Sequence, residues 1–166
     1  PYLSLRSGCG HHRRIGDVVV TALSDGTLER THEMMLKVPE ADAKGLLAAA
    51  YRASFVLSIN AFLIHSGNRL ALVETGSGNY LGPAAGHLLA NLKHAGVSPD
   101  AIDTILLTHM HPDHSAGLTD MATGRANYAN AELVAHENEP RHWLHADAAM
   151  ARGTERAKKL MFQPAR

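Results

Sequence analysis

The stretch that decides the fold is Thr108-His109-Met110-His111-Pro112-Asp113-His114-Ser115-Ala116-Gly117-Leu118. It follows Ile102-Asp103-Thr104-Ile105-Leu106-Leu107, whose branched apolar residues read as a strand buried on at least one face. In an extended backbone alternate side chains share a side, so His109 and His111 can both face one ion. Imidazole nitrogen is a preferred zinc ligand. Pro112 turns the chain, and Asp113 and His114 can then face a second position close by, with one oxygen and one nitrogen. Four donors within six residues at the mouth of a buried strand suit a two-metal site, whose ions lie about 3.5–4 Å apart. A lone histidine is usually a surface or satisfied core residue, whereas H-x-H-x-D-H at a strand end is far more restrictive. His11, His12, His32, His65, His87, His94, His136, His142 and His145 lack that spacing and read as ordinary structural or surface residues.

Upstream, Phe55–Ile64 and Arg69–Val73 flank Ser66-Gly67-Asn68 and read as two strands joined by a tight turn. Gly76, Gly78 and Gly82 punctuate a loop that lets the backbone pass close to the cluster. Pro83–Ala95 carries Leu88, Leu89 and Leu92 at helical spacing, with Gly96 placed to end the helix. Nearer the N-terminus, Val18–Leu23 reads as a strand that ends in a hairpin turn at Ser24-Asp25-Gly26, with Leu28 onward as its partner. A helix is predicted from Pro39 to Tyr51, a short strand over Glu132–Ala135, and helix from Glu137 to Phe162. Arg152, Arg156, Lys158 and Lys159 fall on the solvated face of that last helix. Strands alternating with helices place the chain in the α/β class.

The chain of 166 residues is 45% hydrophobic and 19% charged, which suits one domain over residues 1–166 with an arm over 1–14. Sixteen basic residues balance sixteen acidic ones, so the general positive field used to bind nucleic acid or anionic membranes is absent. Aromatic residues, at 5%, offer no stacking platform for single strands, and no run approaches the 18 apolar residues of a membrane span. Cys9 is the one cysteine, which excludes an intramolecular disulfide and every thiolate-rich zinc module. The sequence opens at Pro1 without a charged-then-apolar leader, and the compartment stays open. A dinucleotide-binding turn would need a third glycine at 81, where Leu81 stands, and a zincin helix would need histidine where Pro140 stands. Serine-hydrolase elbows and phosphate-binding P-loops have no motif here.

Together with Leu72-Val73-Glu74-Thr75-Gly76 and the segment from Ile15-Gly16-Asp17 to Ser24-Asp25-Gly26-Thr27, the histidine stretch resembles the metallo-β-lactamase-fold hydrolases. Within them it is most similar to the methyl parathion hydrolase and quorum-quenching lactonase group, over roughly residues 13–144. The resemblance implies an αββα sandwich with metals at one edge between its two sheets. His109 and His111 would bind the first zinc and Asp113 and His114 the second, with Asp113 also orienting the attacking water. Zinc lowers the pKa of bound water from about 15.7 to about 7, which suits hydrolysis of a small ester, lactone or phosphotriester. Glu74, where the family usually has Asp, and Thr108 would support the ligands from behind. A thioesterase of the glyoxalase II kind is the alternative within the family, and an inert fragment with an incomplete metal site is the alternative outside catalysis.

The family completes its site with a later His, a bridging Asp and a distal His. Beyond His114 only His136, His142 and His145 remain, and His136-Glu137-Asn138-Glu139-Pro140 reads as a helix start. Each metal position therefore has two ligands where a catalytic zinc normally takes three and a water. The expectation is an N-terminal half to two thirds of a sandwich, truncated at its C-terminus. Its uncovered apolar sheet face would favour homo-oligomers, visible by gel filtration.

Overall fold

The computed structural model describes residues 11–35, 37–145 and 147–152. Strands β1 (His11–Ile15), β2 (Val18–Arg30), β3 (Phe55–Ser66), β4 (Arg69–Val73), β5 (Thr104–Leu106) and β8 (Glu132–Val134) form one mixed sheet in the order β1-β2-β3-β4-β5-β8. The first four strands are antiparallel neighbours, and β5 and β8 run parallel to β4. β6 (Thr119–Asp120) and β7 (Arg125–Ala126) make a separate two-stranded ribbon. The helices are α1 (Glu40–Ala49), α2 (Leu88–His94), the single turn α3 (Pro112–Ser115), α4 (Asn138–Trp143) and α5 (Asp147–Arg152). None is long and apolar enough to cross a membrane.

One face of the sheet carries the core. Leu23, Ala61, Leu63, Leu70, Leu72 and Ile105 meet Leu88 and Leu92 of α2 and Trp143 of α4. The opposite face is read off the register, because residues paired across neighbouring strands point the same way. Val134, Leu106, Val73, Phe62 and Ala22 form one such row, and Ala71, Ile64 and Val20 another. No helix or second sheet covers these rows among the described residues, and Phe62 is 42% and Val134 41% exposed. The architecture is thus one helix-backed sheet of an αββα arrangement, as expected for an incomplete sandwich.

The hairpin predicted over 55–73 is present, with Gly67 at φ 58° in its turn. Its far edge is pinned by Asp103, which accepts from Arg69 Nη2 at 2.9 Å, the Leu70 N–H at 2.8 Å and the Thr104 hydroxyl at 2.7 Å. The Arg69 guanidinium holds this carboxyl down at about 2.

Four expectations are corrected. Residues 11–14, read as part of an arm, lie in β1, because their backbone pairs with Val19–Ala22 of β2, and His12 Nδ1 lies 2.8 Å from Thr21 Oγ1. The remaining arm residues, with Cys9, lie outside the described residues. Ser24-Asp25-Gly26 is a bulge inside a continuous thirteen-residue β2, not a hairpin turn. Asp25 points inward, fully buried, and accepts hydrogen bonds from Ser77 N–H, Ser77 Oγ–H, Gly86 N–H and Leu88 N–H. Gly26 follows at φ 130°, where an added Cβ would meet Ala84 backbone. The helix predicted from Pro83 begins only at Leu88, because Gly82 and Gly86 take positive φ and wrap residues 83–87 around Asp25. From Glu137 onward the described helix is in two pieces, α4 and α5, and residues 153–162 lie outside the described residues.

Candidate metal centre

β5 ends at Leu106, and His109 and His111 lie in the loop that follows it, as the alternation of an extended backbone predicts. His109 Nε2 and His111 Nδ1 share a hydrogen bond of 3.1 Å. Pro112 opens α3, which carries Asp113 and His114 in its one turn. The His114 ring returns to within 4.1 Å of the His109 ring, centroid to centroid, while the His111 ring stands 4.6 Å from His109. Asp113 Oδ2 lies 3.4 Å from His114 Nε2. All four predicted donors therefore share one small region at the sheet's edge. They are paired with each other, and among the described residues no three are disposed around a single point as a finished cage.

Glu74 supports the cluster from beneath. It follows β4 at φ 66°, a left-handed conformation that costs a non-glycine residue about 1–3 kcal/mol and persists only where surroundings impose it. Its backbone N–H reaches Leu106 O, and its Oε1 accepts the Thr108 N–H at 3.0 Å. Glu74 Oε2 lies 3.3 Å from His114 Nδ1, an ion-pair contact, and neither atom has a hydrogen-bond partner among the described residues. Thr108 Oγ1 lies 3.0 Å from His109 Nδ1, which leaves His109 Nε2 on the side of His111. The residue after Glu74 also grips α3, since Thr75 N–H and Thr75 Oγ–H both donate to His114 O. Gly117 N–H donates to Gly76 O, and a side chain at Gly117 would collide with Thr75 O. The predicted close passage of the glycine loop is this contact.

The electrostatics follow from the pairing. The carboxylates of Asp113 and then of Glu74, in ion-pair contact with the ring, raise His114 to about 9, despite its burial. Burial opposes ionisation of Glu74, yet its contacts with His114 and Thr108 outweigh that and hold its carboxyl below the usual range. Asp113 is likewise lowered, chiefly by His114. Burial, then the neighbouring His109, pushes the His111 imidazole down, which favours its neutral form. The donor set of three imidazoles and a carboxylate fits zinc. A tetrahedral ion with Zn–N bonds of about 2.0–2.1 Å separates two nitrogens by about 3.3–3.4 Å, close to the spacing of His109 and His111.

Three histidines outside the motif bond locally instead. His65 Nε2 bonds Gly67 O, His94 Nδ1 bonds Ala90 O, and His136 Nδ1 accepts the Asn138 N–H at the start of α4. Sequence reasoning missed Glu139 and Asp25. Glu139 accepts the Met110 N–H at 2.8 Å and the Trp143 indole N–H at 3.0 Å. Its i, i+4 spacing from Trp143 was a usable signal once a helix started at 137. Asp25 gave none, because Asp-Gly is an ordinary turn signature.

Similarity to known proteins points the same way. The chain is 37% identical over 60 residues to the N-acyl homoserine lactonase AiiB of Agrobacterium fabrum, a match covering 36% of this chain and 19% of that one. Among solved structures, the hydrolase AbOPH of the beta lactamase superfamily superposes with a TM-score of 0.83 at 32% identity, covering 96% of this chain and 55% of that one. AidC, a dizinc quorum-quenching lactonase in complex with a product, gives 0.83 at 26% identity, covering 92% and 55%. The chain therefore spans about half the length of these two structures. The family profile matches residues 55–163, which takes in β3, β4, β5, α3 and α4, the elements that assemble the histidine cluster. On that match the chain belongs to the Metallo-beta-lactamase superfamily, whose members include hydrolases such as lactonases.

Proposed function

We propose that this protein is a zinc-dependent hydrolase of small esters, lactones or phosphotriesters, with His109, His111, Asp113 and His114 as metal ligands. The observation that carries the reading is the gathering of three imidazoles at one strand end, with His109 Nε2 and His111 Nδ1 3.1 Å apart. Zinc held there would supply an activated water at neutral pH and polarise the substrate's carbonyl or phosphoryl oxygen. The chain's own part is to orient. Glu74 faces His114 Nδ1 and leaves Nε2 toward Asp113, while Asp113 presents a carboxylate kept ionised, suited to orienting a water and accepting its proton.

Lactones lead the substrate list because similarity to N-acyl homoserine lactonases recurs in sequence and structure. Metal content and turnover test the reading together. About two ions per chain, with N-acyl homoserine lactone hydrolysis abolished by a chelator, is the expected result. One ion or fewer with no turnover on lactone, phosphotriester or thioester would favour the inert alternative.

The same reading includes self-association through the uncovered sheet face. Phe62→Asp places a charge in the middle of the Val73–Phe62–Ala22 row. It is expected to shift the chain to a smaller species on gel filtration, and a wild type that elutes as a clean monomer would remove this element.

A further inference from the structure

The loop that carries His109 and His111 is held by a residue of a different element. Met110 lies between the two histidines, and its N–H donates to Glu139 Oε2 at 2.8 Å. The same oxygen accepts the Trp143 indole N–H at 3.0 Å, one turn further along α4. Trp143 is itself 9% exposed, belongs to the main core, and sets its ring edge-on to His111 at 5.2 Å between centroids. Core packing thus fixes the indole, the indole fixes the carboxylate, and the carboxylate fixes the His109–Met110 peptide, one of the two that link the imidazoles.

We propose that Glu139 is a positioning residue for the metal centre, holding the Met110 peptide so that His109 and His111 converge. The inference rests on the metal reading above and adds a residue outside the H-x-H-x-D-H motif to it. Without this acceptor the arc from His109 to His111 can relax through the backbone torsions of Met110, and an ion must then order it at the expense of affinity. Outer-shell partners of this kind typically change metal affinity about 10–100-fold. Because one oxygen accepts both donors, a neutral carbonyl oxygen can replace it. Positioning therefore predicts rescue by glutamine, whereas a role for the negative charge beside the cluster does not.

Zinc affinity, measured on the full chain by competition with a chromophoric chelator, tests this, with the Co2+ absorption spectrum as a second readout of ligand geometry. Glu139→Ala is expected to weaken the first ion about 10–100-fold and alter the cobalt bands, while Glu139→Gln stays within about threefold of wild type. Glu139→Ala within twofold of wild type, or Glu139→Gln falling as far as Glu139→Ala, would overturn the proposal. Should Glu139→Ala fail to fold, Trp143→Phe keeps an aromatic ring at this core position while removing the indole donor and the second ring. It should weaken binding about 3–10-fold, and an unchanged affinity would overturn the proposal equally. A wild-type chain that takes up no zinc sinks the metal reading itself, whereas tight wild-type binding shared by Glu139→Ala sinks only this inference.

Discussion

Replacing His111 with alanine is expected to lower zinc affinity by more than the roughly 10–100-fold that outer-shell changes cost, and to abolish any hydrolysis. His111 faces His109 directly, with the imidazole nitrogens 3.1 Å apart, so its removal takes away the nitrogen opposite His109 Nε2 and leaves the His114 ring as the remaining imidazole beside it. Burial already favours the neutral ring that a metal requires, so little free energy of proton loss opposes binding at this position. His94→Ala and His136→Ala supply the contrast. Their rings bond to nearby backbone, at Ala90 O and Asn138 N–H, and both variants should keep wild-type affinity within about twofold. Equilibrium dialysis with zinc reads all three. If His111→Ala bound as tightly as wild type, the strand-end cluster would not be the metal site.

The cluster was legible because its signal is local. Four donors in six residues need only a strand before them and a turn within them, and both are written in the Ile102–Leu107 run and in Pro112. The 55–73 hairpin was legible for the same reason, with strong alternation on either side of a turn. What failed was long-range. Asp25-Gly26 has the composition of a turn, and only a partner 52 residues away, Ser77, turns that aspartate inward and converts the turn to a bulge. The start of α2 was misplaced by the same contact, because residues 83–87 close around the Asp25 carboxylate instead of coiling. Glu139 reaches Met110 across 29 residues and belongs to this class of tertiary contact.

That long-range role makes Asp25 the position with the largest expected effect on stability. Asp25→Ala is expected to cost about 3–5 kcal/mol, a large share of the 5–15 kcal/mol typical of a domain. The carboxylate is fully buried and accepts from Ser77 N–H at 2.9 Å, Ser77 Oγ–H at 2.7 Å, and Gly86 and Leu88 N–H at 3.1 Å. Alanine strands these donors in the interior, where each unsatisfied group costs about 1–3 kcal/mol, partly relieved if water enters the space. The glycine loop packs directly against this carboxylate, since a side chain at Gly76 would collide with it. Asp25→Asn separates acceptor loss from volume. Its amide oxygen, placed where Oδ2 stands, keeps Ser77 and Gly86 and loses only the Leu88 bond, so about half the alanine effect is expected. The damage should also reach the metal centre, since the loop Asp25 anchors is continuous with Thr75, which holds His114 O. Urea unfolding of the three proteins decides it: an alanine variant within about 1 kcal/mol of wild type would show that the glycine loop is held by its own turns and not by Asp25.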